Sequence, residues 1–304
     1  MVEGLHGLIP WAHAIVVLLA GAGMLVIVPL GLSLVAVPGP GVAVVRRWWV
    51  VVALPAAVSL WLPRGLVTAT MALPYVTAAA VLLTGAVMEI APRGQDRAGR
   101  APGVREMGFD LALLTALAGP VIAGSALVAE RAGYRLFGFG LDTLALTVAH
   151  FHYAGFAAAL VAALLVDRKP GPVTTAAAWC VPGGTLIVLI GYFAGDAVQL
   201  AGAAVLTLGM WLTGWVTWHQ ARPLDLVTRV LFRVGTVVPA ATMVLALDWA
   251  SGLPHLPVSW MVATHGVANA LGFALCSLLA WRRAAWGVVL VPPTSPGAPV
   301  ASRA

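Results

Sequence analysis

Apolar residues run through this chain in long blocks separated by short polar segments. A helix needs about 20 consecutive, mostly apolar residues to cross the hydrocarbon core of a bilayer, and most of the blocks reach that length. They lie at residues 11–37, 48–63, 66–90, 108–129, 142–166, 173–194, 197–218, 234–250 and 258–281. The second and eighth blocks are the shortest, and no internal repeat is visible. The pattern predicts an all-α fold, a polytopic bundle of about nine transmembrane helices.

Composition supports this class and excludes others. Hydrophobic residues make up 61% of the chain and charged residues 9%, with a mean hydropathy of +0.97. Soluble domains carry about 25% charged residues, so nearly all of this chain is predicted to lie in a lipid bilayer. The net charge of +6 does not indicate a nucleic-acid partner, because the basic residues fall in short loops between spans. Cys180 and Cys276 fall inside predicted spans and form no cysteine metal motif.

The basic residues also predict an orientation. Of the 17 Lys and Arg residues, only Arg64, Arg131 and Arg135 fall on the side of the N-terminus. Cytoplasmic loops are enriched in Lys and Arg, so the N-terminus is predicted outside and the C-terminus in the cytoplasm. We expect one membrane domain at 1–291, with a cytoplasmic loop at 92–107 and a disordered tail at 292–304. The large excess of Arg over Lys suggests a bacterial genome and therefore the bacterial cytoplasmic (inner) membrane.

Four histidines fall in the half of the membrane that is predicted to be outer. His150 lies eight residues past Asp142, about 12 Å into its span, and His265 seven residues past Val258, about 10 Å into its own. His13 and His152 complete the group. Ionisable side chains at membrane depth are costly and mark candidate functional sites. Neutral imidazole suits Zn, Cu and Fe, so these four are candidate ligands of a transition metal or of haem iron.

Helical spacing sorts these candidates into faces. Residues three or four apart share a helix face, which places Thr143, Thr147 and His150 on one stripe. His152 lies about 200° around a regular helix from His150 and cannot serve the same metal ion. Asn269 shares a stripe with His265. We expect Asn269, Thr147, Tyr153, Asp142 and Asp248 to orient or support the ligands, although an acid at a helix start also caps backbone N–H groups, as predicted for Asp142, Asp110 and Asp196.

Two arginines between the fourth and fifth blocks are candidate anion contacts. Arg131 and Arg135 flank Tyr134 in a segment that reads as an interfacial lid on the outer side. Asp248 ends the eighth block on the same side, where the helix dipole disfavours an acid. It is therefore predicted to pair with Arg131 or Arg135, or to join the histidine site.

The stretch Val148-Ala149-His150-Phe151-His152-Tyr153, preceded by Asp142-Thr143, resembles the haem-bearing helix of subunit I of haem-copper oxidases. In that family the first histidine binds the oxygen-reducing haem and the second the low-spin haem, which would assign those roles to His150 and His152. The copper-binding histidine motif of the family and its tyrosine are missing here, which argues against oxygen reduction.

A second resemblance covers most of the chain. The segments His150-Phe151-His152-Tyr153-Ala154-Gly155-Phe156 and Thr264-His265-Gly266-Val267-Ala268-Asn269-Ala270-Leu271-Gly272-Phe273 resemble the YndJ-like family of bacterial integral membrane proteins. That family has no established biochemical role and is sometimes labelled as transporters. The resemblance indicates a family and a fold, but it does not identify a ligand.

Three readings of the histidines follow. They bind a transition metal or haem, with His150 and His265 as the preferred pair. Alternatively, they bind a substrate or carry protons in a transporter whose proline-containing spans form the pathway. In the third reading they only join helices through hydrogen bonds. A zinc hydrolase is the weakest alternative, because no acid is placed beside them as a general base. A small-molecule or ion ligand, its identity and any protein partner stay open.

Overall fold

A computed structural model of the chain describes residues 8–91, 103–253, 255–286 and 288–289. Nine helices in these ranges are long and apolar enough to cross a membrane, which confirms the all-α bundle. In order, α1 to α9 are Pro10–Leu32, Pro40–Ser59, Leu66–Ile90, Val104–Arg131, Leu141–Arg168, Pro172–Ala194, Asp196–Gln220, Leu226–Ala250 and Val258–Arg283. A 3₁₀ turn, Leu136–Gly138, lies before α5. Strand β1, Val35–Ala36, pairs in parallel with β2, Val288–Val289.

The predicted helix boundaries were wrong where charged residues lie near a helix end. α2 begins at Pro40 rather than at 48, and α8 begins at Leu226 rather than at 234. The added turns contain arginines, which a hydropathy boundary excludes. Long arginine side chains lie along apolar surface while their charge reaches the interface, so they are compatible with the end of a span. Arg233, for example, stacks over the Trp218 ring at 4.9 Å.

The predicted boundaries of the cytoplasmic loop and of the first span also differ from the structure. The predicted loop at 92–107 overlaps α4, which begins at Val104; positions 92–102 lie outside the described residues, as does the predicted tail at 292–304. The first block was predicted to reach residue 37, but α1 ends at Leu32 and strand β1 follows.

Helix α5 is the centre of the bundle. In its most apolar window 89% of the residues are buried, against 28–56% for the other eight helices. The run from Phe156 to Val166 consists of small and branched apolar side chains, all of them buried. Helices α1, α4, α6 and the inner part of α9 pack around α5. The histidine-bearing helix is therefore the element on which the other helices assemble.

The hairpin α6–α7 depends on glycine. A Cβ atom at Gly191 would lie 2.6 Å from Gln199 Cα, and one at Gly209 would lie 2.8 Å from Val181 N. Gly184 approaches the Leu206 backbone at least as closely. Small residues let the backbones of membrane helices approach closely. Inside a bilayer there is no hydrophobic driving force between helices, so van der Waals packing of this kind holds them together.

Acidic residues do not cap the helices that were expected to use them. The N-caps of α5 and α7 are Gly140 and Gly195, without a side-chain hydrogen bond. Asp110 lies within α4 rather than at its start. Asp142 Oδ2 instead accepts a hydrogen bond of 3.1 Å from Leu8 N, so this carboxylate fixes the chain segment that leads into α1.

Helix α8 has an N-cap residue whose side chain accepts hydrogen bonds from the first turn. Asp225 Oδ1 accepts hydrogen bonds from Val227 N at 3.1 Å and Thr228 N at 3.2 Å. Hydrogen bonding from Thr228, with a smaller contribution from the Arg283 charge, holds the pKa of Asp225 below its ordinary value. This solvent-exposed cap lies outside the apolar part of the bundle.

Candidate histidine site

Helices α1, α5 and α9 contain π-helical segments, which include His152 and His265 and directly follow His150. These segments are Gly23–Ile27 in α1, Phe151–Ala158 in α5, and Val262–Gly266 and Ala268–Leu275 in α9. The α1 segment packs against that of α5, which in turn packs against Ala268–Leu275. π-helix makes up well under 1% of residues in globular proteins, and its short bulges occur frequently at functional sites.

His150 and His265 lie near one another on the neighbouring helices α5 and α9. The main contact between these helices is made by Phe151–Ala158 and Ala268–Leu275, inward of both histidines. The two rings are close enough for their charges to interact. The His150 side chain is exposed. Both residues lie in the half of the membrane that is predicted to be outer.

A hydrogen-bond network fixes the His265 ring. His265 Nδ1 lies 2.9 Å from the Thr242 carbonyl oxygen of α8, which can only accept, so Nδ1 carries the proton. Nε2 of a neutral ring then keeps its lone pair. The Asn269 amide donates to the His265 carbonyl at 2.8 Å, and Thr242 Oγ1 lies 3.0 Å from Asn269 Oδ1. Asn269 therefore supports the His265 backbone rather than its ring.

His152 faces a different set of neighbours. Its Nδ1 lies 2.6 Å from the Val148 carbonyl, and its Nε2 lies 2.6 Å from the Tyr75 hydroxyl. The ring is 0% exposed. Nδ1 must donate to the carbonyl, so Nε2 accepts from Tyr75. Both nitrogens are thus used in hydrogen bonds, and in this arrangement neither has a lone pair to offer a metal ion.

Three residues around His152 were missed from the sequence. Tyr75 of α3 is fully buried and packs edge-on against Trp49 of α2, with ring centroids 5.3 Å apart. Trp49 Nε1 donates to the Met24 carbonyl at 2.9 Å. Gly23 lies against the imidazole itself. A tyrosine in mid-span beside Pro74 was the available signal for a buried polar partner, but nothing local to the sequence pairs it with His152.

The remaining candidates on α1 and α5 have structural contacts. His13 is partly buried on Pro10–Ala22, the segment of α1 that packs against the N-terminal parts of both α5 and α9. Thr147 Oγ1 donates to the Thr143 carbonyl at 2.8 Å on the same helix. Tyr153 Oη donates to the Leu19 carbonyl at 2.8 Å and so joins α5 to α1.

The two arginines that were predicted to contact an anion differ from one another. Arg131 is buried, and its guanidinium forms an ion pair with Glu130. It also donates to the Ser59 and Leu62 carbonyls at 3.0 and 3.1 Å, which caps the end of α2. This leaves Arg131 little capacity for an external anion. Arg135 is exposed on the surface.

Asp248 pairs with neither arginine. Arg131 is committed to Glu130, whose Oε1 also accepts from Arg64 at 2.8 Å. Among the described residues the Asp248 carboxylate has no ion pair, and the side chain is partly exposed near the end of α8. Glu130 was overlooked as the centre of this cluster, because its partner Arg64 lies 66 positions away in the sequence.

The histidines do not form a complete cage of protein ligands. Across the described ranges, no three His, Cys, Asp or Glu side chains are grouped closely enough to hold one metal ion. The structure thus brings His150 and His265 together, keeps His152 in a separate hydrogen-bonded core, and leaves His13 on the adjoining helix.

A family model described as YndJ-like protein matches residues 16–273. The chain belongs to the YndJ-like family. The match spans α1 to α9 and includes His150, His152 and His265, so the resemblance inferred from the sequence is confirmed. No curated protein and no solved structure matches the chain. Membership in the YndJ-like family therefore agrees with a multi-pass membrane fold, but it does not assign a chemical activity.

Proposed function

We propose that this YndJ-like protein binds a transition-metal ion or haem iron through His150 of α5 and His265 of α9. The proposal rests on the hydrogen bond of 2.9 Å between His265 Nδ1 and the Thr242 carbonyl. Histidines that ligate metals usually donate their other ring N–H to a carbonyl, carboxylate or water, which fixes the tautomer and the ring orientation. His265 meets this condition, and its Nε2 is the nitrogen left for a ligand.

His150 supplies the second nitrogen. Its ring has no hydrogen-bond partner among the described residues, although the residue lies about 12 Å into its span. A polar side chain in this setting is costly unless it has a partner. A bound metal or haem iron would provide one for both rings at once. We further propose that the site faces outward in a bacterial cytoplasmic membrane, as the distribution of arginines predicts.

Two protein nitrogens leave coordination positions for other donors. Structural zinc sites are closed by four protein ligands, and no such set exists among the described residues. Water, a small molecule or the four nitrogens of a porphyrin would complete the site. An open site of this kind fits exchange or binding of a small ligand better than a purely structural metal. His13, on the adjoining α1, is the next candidate ligand.

The test is to load the purified protein with Zn²⁺, Cu⁺ or haemin in separate samples. After removal of unbound ligand, metal analysis and the absorbance spectrum give the stoichiometry. We expect about one equivalent of one of the three to remain. Replacing His150 or His265 by Ala should weaken its binding by more than the 10–100-fold that loss of a ligand's hydrogen-bond partner costs.

His219→Ala is the matched control. His219 is the same residue type, lies at the opposite end of the bundle, and uses Nδ1 in a bond of 2.8 Å to the Trp215 carbonyl of its own helix. The His219→Ala variant should bind the metal ion or haemin as tightly as the wild type does. The proposal is refuted if the wild type retains none of the three ligands, or if His150→Ala and His265→Ala bind as tightly as His219→Ala.

One observation favours transport as a second candidate. Helices α5 and α9 meet through their π-helical segments, next to the histidines, and neighbouring α8 contains Pro239. Irregular helices that line a cavity at membrane depth are typical of transporters. If the histidines bind a transported metal ion, proteoliposomes should accumulate it, and His150→Ala should abolish uptake. Binding without uptake would support a fixed site and exclude this candidate for the ions tested.

A further inference from the structure

A cavity lies at the opposite end of the bundle from the histidines, where α1 turns into α2. Its volume is about 400 Å³, within the 300–1,000 Å³ range of ligand sites. Its lining combines Ser33 and two cationic side chains, Arg46 and Arg47, with the apolar residues Pro29, Leu32, Val37 and Ala43. This end of the bundle is the one that carries most of the basic residues and is predicted to be cytoplasmic.

The two arginines have unused hydrogen-bond donors. Arg46 Nη2 donates to the Leu32 carbonyl at 2.8 Å, which orients the guanidinium over the end of α1, and its other N–H groups have no partner among the described residues. Within the described part of the chain, Arg47 donates to no side chain or carbonyl, and neither arginine forms an ion pair. Two adjacent guanidinium groups at a cavity rim attract a phosphate or another anion, and arginine binds phosphate oxygens in a bidentate manner.

The apolar surroundings indicate which anion. Val50 and Leu54 continue down the helix face that carries Ala43 and Arg47, since these positions are three or four residues apart. Their side chains are 49% and 51% exposed and would contact lipid in a membrane. A ligand with a phosphate headgroup and an acyl chain would meet both the arginines and this apolar strip. A free phosphate would use only the arginines.

We infer that the cavity between α1 and α2 binds the headgroup of an anionic phospholipid, with Arg46 and Arg47 contacting its phosphate and an acyl chain lying along Val50 and Leu54. Basic pockets between transmembrane helices on the cytoplasmic side are suited to such headgroups. The bound lipid would fix the turn between α1 and α2. This site is independent of the histidines, so the outcome of the lipid-binding test and that of the metal-binding test do not depend on one another.

The test uses delipidated full-length protein in a non-ionic detergent, with lipid occupancy read by native mass spectrometry. Phosphatidylglycerol is the anionic probe, phosphatidylcholine the zwitterionic one, and inorganic phosphate the free anion. We expect the wild type to bind phosphatidylglycerol in preference to phosphatidylcholine. The double variant Arg46→Gln/Arg47→Gln should bind it on the order of 25-fold more weakly, roughly fivefold for each basic side chain near an anionic headgroup.

Two further variants separate the cavity from general charge. Arg222→Gln/Arg282→Gln removes two exposed arginines at the same end of the bundle and should leave the preference unchanged. Ala43→Leu keeps both cavity arginines but fills space between them, so it should also weaken binding even if the double variant fails to fold.

Several results would overturn the inference. It fails if both double variants lose phosphatidylglycerol equally, if Ala43→Leu has no effect, or if phosphatidylcholine binds the wild type as well. Displacement of the lipid by millimolar inorganic phosphate would assign the arginines to a free anion instead and would overturn the lipid assignment.

Discussion

Substitution of Gly23 by Ala should disrupt the buried contact between α1 and α5. A Cβ atom at this position would lie 2.5 Å from Cγ of His152, 2.6 Å from its Cβ and 2.9 Å from its Nδ1. The imidazole cannot easily move away. It is 0% exposed, and each of its nitrogens is held by a hydrogen bond of 2.6 Å.

The magnitude follows from the two ways in which the structure can respond. If the helices separate, the cost is that of an overpacked core, about 1–3 kcal/mol. If the ring moves instead, the Tyr75 hydroxyl loses its partner in a buried site, which costs about 1–3 kcal/mol. Because the two responses are alternatives, we expect Gly23→Ala to lower the free energy of unfolding by about 1–3 kcal/mol.

Gly21→Ala is the matched control, because it adds the same methyl group to the same helix. No heavy atom outside the local helix lies within 4 Å of a Cβ at Gly21, so the change should stay within about 0.5 kcal/mol. Unfolding can be followed by tryptophan fluorescence of the detergent-solubilised protein with increasing temperature or denaturing detergent. Equal stability of Gly23→Ala and Gly21→Ala would refute the close approach.

A double-mutant cycle tests the assigned partner. His152→Ala removes the ring that the new methyl group would meet, so Gly23→Ala should cost much less in that background. Contacting residues show interaction energies of about 0.5–3 kcal/mol in such cycles. An undiminished cost in the His152→Ala background would show that the strain lies elsewhere.

Three further predictions concern other contacts. Arg131→Met should destabilise the protein by about 3–5 kcal/mol in the same unfolding assay, because it leaves Glu130 as a buried charge without its principal partner; a change below about 1 kcal/mol, as for a surface ion pair, would contradict this. Gly184→Ala should destabilise the α6–α7 hairpin, whereas Gly183→Ala, with open space at its Cβ, should not; equal effects would exclude backbone packing as the cause. Because the pKa of Asp225 is lowered in the folded state, its cap stabilises α8 above the ordinary pKa of 3.8 and loses that effect as the pH falls through the lowered value. Asp225→Asn should therefore remove part of the acid-induced loss of stability, and an unaltered acid profile would contradict the assignment.

Some of the site was accessible to sequence reasoning because it depends on distance along one helix. The depths of His150 and His265 follow from their positions after the helix starts, and their membership in opposing helices follows from the spans. The proximity of the two histidines cannot be inferred from the sequence. It depends on how α5 and α9 cross, and that crossing is set by the contact between Phe151–Ala158 and Ala268–Leu275.

The individual roles of the polar residues needed the tertiary structure. His152 was grouped with the other candidate ligands, but its second nitrogen is taken by Tyr75, which lies 77 positions away. Arg131 was predicted to face an external anion, whereas its donors are used by Glu130 and by carbonyls that lie 69–72 positions away. A hydrogen-bond partner on another helix leaves no periodic signal in the sequence.

The class of this protein, its number of spans and its family can all be inferred from the amino-acid sequence. Each of those depends on hydrophobicity or on residue patterns within one segment of about 20 residues, and the bilayer imposes that length on every span. The tertiary structure decided which histidines have unused nitrogens, which helix lies at the centre and where the helices widen into π-helix. These features arise from close packing between segments far apart in the chain, where a single missing Cβ, as at Gly23, determines whether a buried ring fits.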